Sequence, residues 1–164
     1  MDWFILAGII VILCFGFVLL FGPPYVPTMN KQARIAIEMI NLKPGQTLLE
    51  LGCGDGKILK TAASTGVYAV GFELNPILVL IARLRTWRER KYVRVIWGNF
   101  WHTPSWPEAD GIFVFILPKH MVKLDAVVTK WHTKPVKLVS FAFPIPGKET
   151  VQRSSKGVYL YEYR

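Results

Sequence analysis

The stretch Leu48–Lys57, LLELGCGDGK, decides the fold. Its first residues continue a short apolar run, Thr47–Leu51, that reads as a β-strand, and Lys57–Ser64 behind it reads as a helix. Between them Gly52, Gly54 and Gly56 stand at alternate positions. Glycine permits positive φ and leaves no Cβ between the backbone and a ligand. Helices expose unpaired N–H groups at their start, so such a loop suits a polar or anionic ligand. Spacing separates the ligand classes. A P-loop requires GxxxxGK[ST], but Lys57 stands five positions after Gly52 and is followed by Ile58. A dinucleotide fingerprint, GxGxxG, needs its third glycine at position 57, which is Lys57. What remains is GxGxG preceded by an acid, Glu50.

Outward from this loop, strands and helices alternate. Thr28 caps a helix over about residues 29–41, with Ile35, Ile37, Met39 and Ile40 as its apolar positions. Strands follow at 68–73, 93–97, 111–117 and 137–143, with helices over 76–90 and 118–131. Residues 149–153 and 158–163 read as a closing hairpin. Apolar strands separated by helices predict a doubly wound, Rossmann-like α/β sheet over residues 29–164. Ligands of such sheets bind beyond the carboxyl ends of the strands. Glu73 ends the second strand, 21 residues after Gly52, where a carboxylate accepts both hydroxyls of a ribose. Asn99 and Phe100 follow the third strand.

The N-terminal segment differs in kind. Residues 3–22, WFILAGIIVILCFGFVLLFG, carry no charge and match the roughly 20 residues that cross a bilayer. No basic residue precedes them and no small-x-small cleavage site follows, which argues against a signal peptide. Residues 1–22 are therefore expected to be a single transmembrane anchor, with 23–28 as a Pro-rich connector. All 20 Lys and Arg lie after the run, so the positive-inside bias predicts the folded domain on the cytoplasmic side.

The chain has 164 residues and a formal charge of +9, enough to favour an anionic lipid surface as a partner. No compact run of Lys and Arg and no nucleic-acid module is present, which excludes nucleic acid as the expected partner. Cys14 and Cys53 fall in unrelated segments, so no disulfide is expected. His102, His120 and His132 do not stand at ligand spacing, and no metal site is expected.

Glu50, the alternating glycines, Glu73 and Asn99, each at a strand end and in this order, resemble the cofactor site of class I S-adenosylmethionine-dependent methyltransferases. The segments GPPYVPT, LELGCGDGKI and DGIFVFILPKHMVKL narrow the resemblance. They are similar to small membrane-anchored seven-strand lysine methyltransferases, the family of the ATP synthase c-subunit and adenine nucleotide translocase enzymes. The resemblance implies S-adenosylmethionine as cofactor, held by Glu50, Gly52, Cys53, Gly54, Asp55, Gly56, Glu73, Leu74, Asn99 and Phe100. It implies an acceptor pocket drawn from Tyr25, Pro27, Thr28, Leu117 and Pro118. Cys53 stands where such loops often carry serine or alanine, and Asn99 where they often carry aspartate.

Methyl transfer to an amine needs alignment, exclusion of water and an uncharged nucleophile, and no protein nucleophile. That agrees with the lack of any Ser/His/Asp or Cys/His set. Tyr25, Phe100, Trp101 and Phe115 are candidates to face the cation, with core packing the plainer role for Phe115. Lys119 and His120 follow the fourth strand; Lys119 is a candidate substrate contact or equally a solvated charge at a helix start, and His120 is a candidate proton acceptor, with a surface histidine the favoured reading. The expected acceptor is a lysine on a membrane-associated protein. A lipid headgroup or lipophilic small molecule is the alternative acceptor, and a non-catalytic membrane-anchored binding protein the alternative of another class.

Overall fold

A computed structural model describes residues 2–21 and 30–164. The connector 23–28, including Tyr25, Pro27 and Thr28, lies outside the described residues.

Seven strands form one sheet in the order β3-β2-β1-β4-β5-β7-β6. β1 (Thr47–Leu51), β2 (Tyr68–Glu73), β3 (Val93–Trp97), β4 (Gly111–Val114) and β5 (Val136–Phe141) are mutually parallel. β7 (Val158–Tyr163) runs antiparallel between β5 and β6 (Gln152–Ser154). The chain order reverses between β1 and β4, which creates the crevice where open α/β sheets take their ligands.

Two apolar layers sandwich the sheet. On one face α2 (Asn30–Ile40), α3 (Lys57–Ala63) and α4 (Pro76–Arg85) bury Ala33, Ile40, Leu59, Val79 and Ala82 against Leu48, Val95, Phe113 and Val139. On the other, α5 (Met121–Trp131) buries Met121, Leu124 and Val128 against Leu49, Ile112, Val114 and Leu138. The β3–β4 connection contains no α-helix. Its only helical turn, Phe100–His102, is 3-10, and Phe100, Trp101 and Trp106 cover the sheet there.

Several elements are shorter than their apolar pattern predicts. β4 stops at Val114 instead of residue 117, because Pro118 opens a 3-10 turn (Pro118–His120) and Leu117 already turns away to cap it. α4 stops at Arg85, where Thr86 leaves the helical conformation with its N–H and hydroxyl both on the Ala82 carbonyl, at 3.0 and 2.8 Å; a 3-10 turn over Trp87–Glu89 follows. β5 begins at Val136 and ends at Phe141.

The apolar N-terminal run forms α1 (Trp3–Phe21), 19 residues without a charge. Its backbone is described throughout and its side chains in part. Counted over the described residues alone, no helix is long and apolar enough to cross a membrane. The expected transmembrane anchor over residues 1–22 is therefore not shown by the structure.

Both sheet edges are blunted. β3 presents the exposed Arg94 and Trp97. β6 is three residues long, and its Arg153 guanidinium lies 5.2 Å from the Tyr159 ring centroid.

Candidate active site

Gly52, Gly54 and Gly56 adopt φ of 88°, 52° and 76°, which L side chains rarely adopt. The Gly52 and Cys53 N–H groups both donate to the Phe72 carbonyl, at 3.0 and 2.8 Å, and hold the loop against the end of β2. A Cβ on Gly52 would meet nothing within 4 Å, so space is open above it. A Cβ on Gly56 would come within 3.0 Å of Ala82, so that glycine instead lets α3 approach α4.

Glu73 joins the loop to the following helix. Its Oε2 accepts the Gly54 N–H at 2.8 Å and its Oε1 accepts the Asn75 N–H at 2.8 Å. An ionised carboxylate has about four acceptor positions. Two backbone donors therefore leave capacity for the paired hydroxyls of a ribose. The residue is nearly buried, so those bonds form in a poorly solvated place.

Glu50 lies deeper. It is buried, and its Oε2 has no hydrogen-bond partner among the described residues. Burial, followed by the nearby Glu73 and Asp55 carboxylates, pushes its pKa well above the ordinary range; a bond from the Leu59 N–H opposes this.

Cys53 and Asp55 play different parts from those expected. The Cys53 side chain is buried over Gly71, where a Cβ would come within 2.7 Å of it, and burial pushes the thiol's pKa up. Only its backbone belongs to the loop surface. Asp55 forms an ion pair with Arg85 at 2.8 Å and accepts the Lys57 N–H at 3.3 Å, tying the loop to the last turn of α4.

Leu74 is half-buried, and its carbonyl accepts the Trp97 indole N–H at 3.0 Å. Asn99 caps the turn that follows β3, its Oδ1 accepting the Trp101 N–H at 3.0 Å. Its N–H2 group is a donor, where an aspartate offers only acceptors. Phe100 stacks on Trp101 with centroids 4.7 Å apart and meets Trp106 at 6.2 Å. Trp101 faces His120 at 5.9 Å, and the Lys123 ammonium lies 4.5 Å from its ring centroid. Burial, Lys119 and Lys123 lower the His120 pKa from its ordinary value. Leu117 is half-buried and Pro118 exposed, both beyond the carboxyl end of β4. Phe115 packs on Phe141 at 4.8 Å and belongs to the core.

Two features were not foreseen. Asn75 caps α4 with its Oδ1, accepting from Ile77 and Leu78 N–H at 2.9 and 3.4 Å, and its buried Nδ2 has no partner among the described residues. The pair Asn75-Pro76 is a legible helix start, since Asn is a favoured cap and Pro fits the first turn. Ala142, just past β5, has a φ of 69° and donates its N–H to Gly157 at 2.8 Å, while the Ser140 hydroxyl donates to the Phe143 carbonyl at 2.6 Å. This bend sets Phe143 at the carboxyl edge of β5. An alanine carries no sequence signal for a left-handed backbone.

The ANTKMT methyltransferase domain family matches residues 50–152, from the first acid of the site to the start of β6. The chain belongs to that family. It is 30% identical over 125 residues to the human ATP synthase c-subunit lysine N-methyltransferase, covering 75% of this chain and 53% of that protein. It is 30% identical over 149 residues to a protein-lysine N-methyltransferase of Saccharolobus islandicus, covering 84% and 92%. The chain spans about half the length of the vertebrate c-subunit enzymes it matches. Among solved structures, an RNA methyltransferase from Salinibacter ruber in complex with S-adenosyl-L-homocysteine shares the fold, with a TM-score of 0.76 at 24% identity over 84% of this chain and 92% of that one. The expected class I methyltransferase fold is thereby established.

Proposed function

We propose that this chain transfers a methyl group from S-adenosylmethionine to the side-chain amine of a lysine on a membrane-associated protein. The observation that carries this reading is Glu73. It is locked by the Gly54 and Asn75 N–H groups at the tip of β2, inside the stretch the family matches, with acceptor capacity left for a ribose. The other residues fit the cofactor too. The space above Gly52 would take part of its body, and the buried Glu50 leaves one oxygen without a partner beside the loop.

When bound, the cofactor supplies the activated methyl group and its own leaving group. The chain supplies position and environment. The glycine loop lets the backbone approach closely, and Glu73 fixes the ribose. The wall of Phe100 and Trp101 keeps water from the reacting centre. A lysine amine has a reference pKa near 10.4, so its charged form must be disfavoured. Lys119 and Lys123, whose charges already lower the His120 pKa, disfavour an arriving ammonium in the same way. His120, beside Trp101, is the candidate proton acceptor on this side of the site.

The membrane enters through α1. Its uncharged sequence supports a single-pass anchor, and the basic excess that follows it supports a cytoplasmic domain. Substrates confined to the same bilayer would then meet the site at raised effective concentration. Incubating the full chain with isotopically labelled cofactor and native membranes, then mapping the label by mass spectrometry, tests the reading. Label on lysines of membrane proteins is expected. Label only on lipid, or on no lysine, overturns it.

A further inference from the structure

We propose that the outer face of α4, with the turn after it and the edge strand β3, docks on an anionic bilayer surface. α4 is apolar on both sides. Its inward residues Leu78, Val79 and Ala82 are buried in the core. Its outward residues have no such role: Leu80 is 58% exposed, Leu84 65% and, one turn further, Trp87 61%. These three follow i, i+4, i+7 spacing and form one stripe. Trp97, 65% exposed, extends the patch at the edge of the sheet. Single exposed apolar residues are ordinary on protein surfaces, but a helical stripe of two leucines and an indole is not.

The charges around the stripe identify its partner. Arg83, Arg88, Arg90, Lys91 and Arg94 are all exposed, and residues 76–97 contain one acid, Glu89. No ion pair engages any of these five among the described residues. The Arg90 guanidinium lies 4.8 Å from the Trp87 ring centroid, so cation and indole form one unit. Leucine, tryptophan and a cationic rim together match the depth profile of a headgroup layer: acyl chains, interface, anionic phosphate. A nucleic acid would give Leu80 and Leu84 nothing to bury against. Arginine and tryptophan also suit a protein contact, which the labels below separate from a bilayer. α1 lies against α4, so the uncharged N-terminal helix and the patch share one side of the molecule. Trp97 also donates to Leu74 beside Glu73, so the patch ends at the rim of the cofactor site. Docking would therefore turn that rim toward the headgroups, which gives the proposed membrane-protein acceptor its route to the site.

Nitroxide labels report depth directly. The full chain, with Cys14→Ser and with Cys53 left buried, is labelled in turn at Leu84→Cys, at Ile12→Cys in α1, and at Val122→Cys on the exposed side of α5. Each is reconstituted in vesicles of phosphatidylcholine with or without phosphatidylserine. The expected result is that the label at 84 becomes accessible to oxygen and protected from an aqueous nickel chelate when phosphatidylserine is present, while the label at 122 stays aqueous. An aqueous label at 84 in both vesicle types overturns the proposal. So does immobilisation at 84 that appears only when an acceptor protein is added. The label at 12 separates this from the anchor reading: acyl-chain depth at 12 with an aqueous 84 leaves the anchor standing and removes the patch, and the reverse pattern does the opposite. Leu80→Gln with Leu84→Gln provides a second check. It should lose methyl transfer to vesicle-embedded acceptors and keep the cofactor affinity and denaturation midpoint of the native chain; unchanged transfer overturns the proposal.

Discussion

Glu73 is held on both oxygens by backbone N–H groups before any ligand arrives, so its carboxylate needs little reorganisation to receive a ribose. Hydrogen bonds to a charged group are worth about 1.5–3 kcal/mol each. Glu73→Ala should therefore weaken S-adenosylmethionine binding roughly 10- to 150-fold by calorimetry, and Glu73→Gln, which keeps one acceptor, should lose less. Glu50 makes a pH prediction. Burial and its acidic neighbours raise its pKa in the folded state above the ordinary value near 4.5. Between that value and its folded pKa the native chain holds a proton that the unfolded chain has released, so ligand-free stability must fall as pH rises through this window. Urea midpoints measured across the window should show the decline, and Glu50→Gln should flatten it. The sequence made both acids legible through their spacing from the glycines. It could not show that Asp55 serves Arg85, or that Cys53 faces Gly71, because those contacts join elements that are remote in the chain.

At the scale of elements, the parallel strands were readable because each is an uninterrupted apolar run between turn residues. Their ends were less so. β4 looks longer in sequence because Phe115–Leu117 remain apolar after the strand stops, serving the core and the turn. The short turn after β3 carried no helical periodicity, and its tryptophans held no sign that they would roof one face of the sheet. β2 and the glycine loop fit each other closely. A Cβ on Gly71 would lie 2.7 Å from both Cys53 Cβ and Leu59 Cδ1. Gly71→Ala should thus cost about 1–3 kcal/mol in chemical denaturation through overpacking. It should also weaken cofactor binding, because the atoms forced to move carry the loop.

At the scale of the whole molecule, the domain is lean. Its second face has a single α-helix, and the described residues hold no separate acceptor-binding lobe. If α1 is the tether, removing residues 1–21 should reduce methylation of an acceptor reconstituted in vesicles while transfer to a short soluble lysine peptide stays unchanged. Equal loss on both acceptors would show that α1 serves folding instead. Composition alone made this level readable: an uncharged run, then every basic residue. The exposure of Leu80, Leu84, Trp87 and Trp97, on which the proposed docking face rests, carried no signal in the composition.

The blunted sheet margins carry a consequence for crowding on a two-dimensional surface. Copies held at one membrane would collide far more often than in free solution, and an open strand margin invites cross-chain β-pairing. A cation on one outermost strand and a three-residue length on the other deny a neighbour any template, so confinement can concentrate the molecules without zipping them into a fibre.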